Sequence, residues 1–182
     1  MNNNSLKMIS LVAKNIFRII FFVLLQAMVV NRIDLFQGLA LPFIYIFALL
    51  MLPLQTPRLF VLLISFAVGV CMDAFTNTIG MHTSACTLLG FLIPLVNKVL
   101  APREGYEFAE NPTIQDLGIG WYLTFAGILT LAHHIWLFFV EAMGFGFFGH
   151  TLLKILISSL ATLGLMVLAQ YLIFRPDNRR RT

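Results

Sequence analysis

Charged residues are scarce in this chain, and acidic residues most of all. Of the 182 residues, 11% are charged and only eight are Asp or Glu, whereas 59% are hydrophobic. A soluble domain carries about 25% charged residues on average, so this composition excludes both a solvated globular surface and a disordered chain. The sequence therefore predicts an integral membrane protein that forms one domain.

Cysteine is rare as well, and common chemical signatures are missing. The two cysteines, Cys71 and Cys86, both fall within apolar runs, so we expect them to pack as small residues and not to form a disulfide. The sequence has no nucleotide-binding loop, no paired-cysteine metal motif and no internal repeat, so we expect no cofactor and no metal. The net charge of +4 is explained by a basic tail lying against anionic lipid headgroups, without nucleic acid.

Long apolar runs dominate what is present. A bilayer requires about 20 mostly apolar residues per helix. Runs of this kind predict six transmembrane helices in one bundle, at about 15–31, 36–53, 58–75, 80–100, 118–143 and 151–174. Pro42 and Pro53 shorten the regular part of the second run. The expected fold is an all-α membrane domain over 15–174, after a cytoplasmic segment over 1–14 and before a basic cytoplasmic tail over 175–182.

The distribution of lysine and arginine predicts the orientation of the helices. If the N-terminus is cytoplasmic, ten of the 12 basic residues fall on the cytoplasmic side, and only Arg32 and Lys154 fall on the other. Cytoplasmic loops of membrane proteins carry an excess of these residues. We therefore expect both termini, and the sizeable 101–117 loop, in the cytoplasm.

Polar residues inside the predicted helices follow helical spacing. Ser65, Gly69 and Asp73 step by four residues along the third predicted helix, and the fourth, fifth and sixth helices carry similar stripes. Residues at this spacing share one side of a helix. Small residues let two backbones approach and polar residues bond across them, so the stripes predict helix–helix contacts.

The predicted topology places five polar residues together at the outer end of the bundle. Asp73, His82, Glu141, His150 and Lys154 all lie where a predicted helix begins or ends on that side. A position near the membrane–water boundary lowers the cost of the Asp73 charge. We expect Asp73 to pair with Lys154 or to form a hydrogen bond with His82.

Two adjacent histidines, His133 and His134, lie in the middle of the fifth predicted helix. Adjacent residues point about 100° apart, so the two rings are not expected to bind one ion jointly. Neutral rings that hydrogen-bond across an interface are the favoured interpretation, and a proton relay with Glu141 is the alternative.

Several interpretations of the outer cluster stay open. His82, His150, Asp73 and Glu141 lack the spacing of the zinc helix motif, and no Ser or Cys lies in the context of a nucleophile. A small-ligand or ion pocket is the stronger alternative. The favoured interpretation is that polar residues organise the bundle and its contact with a partner, with no catalytic, cofactor-binding or metal residue. The candidates for this role are Asp73, His82, His133, His134, Glu141 and Lys154.

Several stretches resemble a known family. They are "GVCMDAFTNTIGMHTSA" at 69–85, the turn "LPLQTPR", "PREGY" after the fourth predicted helix and "HHIWLFFVEA" on the fifth. Together they resemble MreD, the rod shape-determining membrane proteins of bacteria, especially Bacteroidetes-type members, over about 14–174. The resemblance implies a non-enzymatic, multi-pass component of the cell-elongation complex in the inner membrane. Its implied partners are MreC and, within one complex, MreB, RodA and a class B penicillin-binding protein.

The MreD family is also similar in predicted fold to the substrate-binding subunits of energy-coupling-factor transporters. This likeness keeps a second function open, namely a membrane subunit that binds a vitamin or a metal ion. Its pocket would open outward and be lined by the same residues, joined by aromatic side chains such as Tyr45 or Trp136.

Overall fold

A computed structural model describes residues 3–33, 37–106, 109, 111–143 and 148–174. These residues form α-helices joined by turns and contain no strand, which confirms the all-α fold class. The helices are α1 (Asn3–Met28), α2 (Ile46–Leu50), α3 (Arg58–Thr76), α4 (Met81–Val99), α5 (Ile114–Leu117), α6 (Ile119–Ala142) and α7 (Phe148–Ile173), with a 3-10 turn at Val30–Arg32.

Four helices are long and apolar enough to cross a membrane. Among the residues described, these spans are Ile9–Arg32, Arg58–Thr76, Ile119–Ala142 and Phe148–Ile173. Their outward faces carry large exposed apolar side chains, among them Phe17 at 71% and Leu160 at 70% exposure. A soluble protein would bury such side chains, so the chain is a membrane protein.

Helix α4 is as long as α3, with 19 residues, but does not belong to these four. Polar residues at both of its ends, from His82 to Ser84 and again at Asn97 and Lys98, lower its hydropathy. Helix α4 packs between α3 and α6, and α7 packs on the other side of α6. Much of its surface is therefore covered by protein.

The contact between α3 and α4 depends on the absence of a side chain at Gly69. A Cβ atom there would lie 2.5 Å from the Cα of Thr83 and 2.8 Å from the carbonyl oxygen of His82. Both of these are backbone atoms of α4, so they cannot move away unless the helix itself shifts. The predicted stripe of small residues on this helix is thus the surface where the two backbones approach each other.

The second predicted helix, 36–53, is not a spanning helix. Within residues 37–53 only α2, with five residues, is helical, and 42–52 are all buried. The run is apolar because it lies inside the protein, and a buried run of this length cannot be told from a lipid-facing one by composition. Pro42 and Pro53 limit the helix because proline cannot donate a backbone hydrogen bond.

The irregular segment, defined here as residues 41–52, crosses the interior of the bundle antiparallel to α1. Its beginning lies beside the end of α1, where Gln26 donates to Pro42, and its end lies beside the middle of α1, where Arg18 donates to Met51. The segment thus connects the end of α1 with the start of α3 at the opposite end of the bundle.

Side chains of α1 and α7 satisfy part of the backbone of this segment. These hydrogen bonds are Leu41 N to Ser158 Oγ at 2.9 Å, Phe43 N to Thr162 Oγ1 at 3.0 Å, Gln26 Nε2 to the Pro42 oxygen at 3.1 Å, and Arg18 to the Met51 oxygen. Non-helical backbone is tolerated at membrane depth only where such partners exist. The polar stripe predicted on the last helix serves this purpose.

Helices α3, α4, α6 and α7 lie near their predicted ranges. Helix α1 begins earlier than the predicted 15–31 range, at Asn3 within the predicted 1–14 segment, because a helix does not have to begin where its apolar window begins. The 101–117 loop contains α5, which is capped by the Thr113 side chain through the N–H of Asp116. The basic tail over 175–182 lies outside the described residues.

Candidate functional site

The predicted polar cluster lies at one end of the bundle, called here the Asp73 end, where α3 and α6 finish and α4 and α7 begin. Asp73 accepts four hydrogen bonds from the start of α4 and the turn before it. Oδ1 accepts from Thr78 Oγ1 at 2.5 Å and from His82 N at 2.9 Å; Oδ2 accepts from Thr83 N at 3.0 Å and Thr83 Oγ1 at 2.5 Å.

These bonds explain why an aspartate is present near the end of the apolar helix α3. The first N–H groups of a helix have no partner within the helix, and a side chain before the helix usually caps them. The residue at that position of α4 is Gly80, which has no side chain to offer. Asp73 caps α4 from the neighbouring helix, and its negative charge also favours the N-terminus of a helix dipole.

The expected pairing of Asp73 with Lys154 is wrong. Lys154 Nζ instead donates to both carboxylate oxygens of Glu141, at 3.0 and 2.8 Å, and lies 4.6 Å from the centre of the Phe138 ring. This ion pair joins the end of α6 to the start of α7. The alternative expectation for Asp73, a bond to His82, is correct, although the donor is the backbone N–H and not the ring.

A buried chain of hydrogen bonds begins at the ring of His82. The hydroxyl of Tyr45 lies 3.1 Å from His82 Nδ1 and 2.9 Å from His133 Nε2. Cys86 Sγ lies 3.5 Å from the same oxygen. Tyr45 and His133 are completely buried. We call His82, Tyr45 and His133 the buried triad; it joins α4 and α6 to the irregular segment.

The second of the adjacent histidines, His134, faces a different neighbour. Its Nδ1 lies 2.8 Å from the Thr130 oxygen in its own helix, and its Nε2 lies 3.2 Å from Thr162 Oγ1 in α7. The two rings thus bond across different contacts, as their angular separation predicts. No hydrogen bond joins either ring to Glu141 within the described part of the chain.

Two cavities flank Glu141 at the Asp73 end. The first, called here the His82 cavity, has a volume of about 380 Å³ and is lined mostly by apolar side chains such as Phe43, Phe75 and Leu137. His82 and Glu141 are among its polar residues. The second cavity measures about 490 Å³ and is lined by Phe138, Glu141, Ala142, His150, Thr151 and Lys154.

The two aromatic candidates, Tyr45 and Trp136, lie elsewhere than the sequence predicts. Tyr45 lies at the centre of the buried triad, in a run that composition identifies only as apolar. The flanking Pro42 and Pro53 are the sequence signal that this run is not a regular helix. Trp136 is 45% exposed on the outside of the bundle, where its Nε1 donates to Ser84 Oγ at 3.1 Å. Neither Trp136 nor Tyr45 lines the His82 cavity, although the sequence predicts that both do.

Among the described residues, no group of three or more His, Cys, Asp or Glu side chains is placed to hold a metal ion. No protein family, no curated protein and no solved structure matches the chain. The resemblance to MreD therefore rests on the sequence stretches themselves.

Proposed function

We propose that this protein is a membrane scaffold of the bacterial cell-elongation complex, similar to MreD, and that it binds MreC. In this proposal it acts without catalysing a reaction and brings MreC together with MreB, RodA and a class B penicillin-binding protein in the inner membrane. It thereby helps to organise lateral peptidoglycan synthesis and cell shape.

The finer topology belongs to the same proposal. The chain crosses the membrane six times, through the five long helices and the irregular segment, with both termini in the cytoplasm. The antiparallel course of the irregular segment along α1 supports this count. The excess of lysine and arginine near the opposite end supports an outward-facing Asp73 end.

The observation that carries the scaffold proposal is the internal use of the polar side chains. Asp73 caps α4, Ser158 and Thr162 hold the irregular segment, and Tyr45 links two histidines. These contacts make one assembly whose remaining described surface includes apolar helix faces and the cavities of the Asp73 end. Surfaces of this kind favour a protein that acts by contacting other membrane proteins.

Purification of the tagged protein from its own membranes in mild detergent, followed by mass spectrometry, tests the proposal. We expect MreC to be recovered together with RodA or its transpeptidase. A matched sample of another six-span protein of the same membrane controls for detergent carry-over. Recovery of none of these proteins above that control contradicts the scaffold function.

A second candidate function, a small-molecule-binding membrane subunit, is favoured by the His82 cavity. Its volume of about 380 Å³ lies within the range of ligand pockets, and its lining is mostly apolar with a few polar groups. A bound ligand raises thermal stability with the logarithm of its concentration over its dissociation constant. A screen of vitamins and metal ions that shifts no unfolding temperature contradicts this function.

A further inference from the structure

His82 is the most deeply buried polar side chain in the wall of the His82 cavity. It is 4% exposed, and its Nδ1 is bonded to the Tyr45 hydroxyl. Its other ring nitrogen, Nε2, has no hydrogen-bond partner among the described residues, although the ring lines the cavity. This nitrogen is therefore available to a molecule inside the cavity, and what it recognises depends on whether it carries a proton.

The Tyr45 hydroxyl limits where the protons of the triad can be. The hydroxyl has one hydrogen to donate and two lone pairs to accept with. Its three neighbours are His82 Nδ1, His133 Nε2 and Cys86 Sγ. The thiol donates to the Tyr45 oxygen, and sulfur is a weak acceptor, so the hydroxyl hydrogen goes to a histidine. With both rings neutral, Tyr45 donates to one histidine and accepts from the other.

The environment of His133 decides between these two arrangements. His133 Nδ1 is buried and has no hydrogen-bond partner. If Tyr45 donated to His133 Nε2, the single proton of that ring would have to be on Nδ1, as a buried N–H with no acceptor. Orphaned buried N–H groups are rarer than acceptors left without a donor. The favoured arrangement therefore has the proton of His133 on Nε2, where it is donated to Tyr45.

The other proton positions in the buried triad follow from that arrangement. Tyr45 then donates its hydrogen to His82 Nδ1, and the proton of His82 must be on Nε2. The buried triad thus gives the cavity a fixed donor on its inner wall. Glu141, the acidic residue of this cavity, is already paired with Lys154, so the described lining of the cavity has no free charge to offer and a neutral acceptor is favoured over an anion or a cation.

We infer that the His82 cavity binds a small neutral molecule that presents a carbonyl oxygen, as in an amide, to His82 Nε2 and places an apolar body against Phe43, Phe75 and Leu137. This inference rests on the second candidate function, and it adds a ligand class and a role for Tyr45. Tyr45 is a positioning residue, because it acts on the ligand through the proton of His82.

The first arm of the test needs no ligand. Nitrogen-15 NMR of the histidine rings, in protein held in lipid nanodiscs, shows which nitrogen of each ring carries the proton; His82→Gln identifies the His82 signals. We expect a proton on Nε2 of His82 and none on Nδ1. A proton on Nδ1 of His82 overturns the inference.

A matched pair of variants tests the role of Tyr45. Tyr45→Phe removes the hydroxyl of the triad with little change of shape. We expect the His82 ring then to be a mixture of two forms, with the proton on Nδ1 in one and on Nε2 in the other. Tyr106→Phe removes a hydroxyl that donates to the Asn97 oxygen at the opposite end of the bundle, at 2.6 Å, and should leave His82 unchanged. Equal behaviour of His82 in the two variants contradicts the positioning role.

The second arm uses benzamide and benzylamine, which share a ring but carry a carbonyl acceptor or an ammonium group. We expect benzamide to shift the His82 Nε2 signal saturably and to bind about tenfold or more tightly than benzylamine. If the two compounds bind equally and the proton is on Nε2, the cavity takes ligands. Its preference for a neutral carbonyl acceptor is then overturned. Binding of neither overturns the site and, if the vitamin and metal-ion screen is also negative, the second candidate function with it.

Discussion

Helix α3 and the irregular segment arise from similar apolar runs and have different structures. Helix α3 is a regular helix with exposed side chains such as Phe60 and Phe66, whereas residues 42–52 are buried and contain only the short α2. In lipid each backbone N–H and C=O must find a partner within its own segment, so α3 has to be helical. The irregular segment borrows partners from α1 and α7 and is free of that requirement.

The comparison shows what the polar residues of this bundle are for. A polar stripe on α7 lies beside the segment whose backbone needs donors and acceptors. Asp73 lies beside the start of α4, where the N-cap residue Gly80 has no side chain to offer. In both places a side chain from one element completes the backbone of another. Changes to these side chains should therefore cost more than changes to polar residues at the surface.

The largest expected effect is at Asp73. Asp73→Ala removes four acceptor contacts and leaves the first N–H groups of α4 without a cap, so we expect a loss of about 3 kcal/mol in the free energy of unfolding. Reversible unfolding in detergent micelles measures it. Asp73→Asn, which keeps one acceptor oxygen, should lose less, and an Asp73→Ala variant as stable as the wild type would contradict the capping role.

A similar loss is expected where α3 and α4 touch. Gly69→Ala would place a methyl group 2.5 Å from the Thr83 backbone, and we expect it to cost about 2 kcal/mol through forced separation of the helices. Gly127→Ala in α6 is the matched control because its Cβ would meet nothing within 4 Å. Unfolding of the two variants side by side decides the point; equal stability would mean that the close contact is not needed.

A smaller loss is expected at the irregular segment. Thr162→Val keeps the side-chain shape but leaves the Phe43 N–H without its acceptor and His134 Nε2 without its partner, which together should cost about 1 to 2 kcal/mol. Thr124→Val removes an exposed hydroxyl that bonds only within α6 and serves as the control. If both variants unfold alike, side chains of α7 do not support this segment.

The smallest effect is expected at the ion pair between Glu141 and Lys154. The Glu141 side chain is 42% exposed and the Lys154 side chain 14%, and ion pairs that water reaches contribute about 0 to 1 kcal/mol. A double-mutant cycle with Glu141→Gln and Lys154→Met measures the coupling. A coupling well above that range would show that the pair is more shielded than its exposure indicates.

The sequence predicted some of these features and missed others for physical reasons. Helices α3 and α6 lie close to their predicted ranges because strong turn signals flank long apolar runs. For the irregular segment the sequence predicts a spanning helix, because hydropathy does not distinguish lipid from a protein interior. The partner of Asp73 could not be chosen between Lys154 and His82, since one sequence does not show which helices are neighbours.

Photolabelling from the lipid phase tests the irregular segment most directly. A hydrophobic diazirine dissolved in the bilayer labels side chains that face lipid, and mass spectrometry of peptides locates the label. We predict strong labelling of α1 around the exposed Phe17 and Phe21 and almost none of residues 43–52, which are buried. Labelling of residues 43–52 at the level of α1 would mean that this run is a lipid-facing helix and would contradict the account.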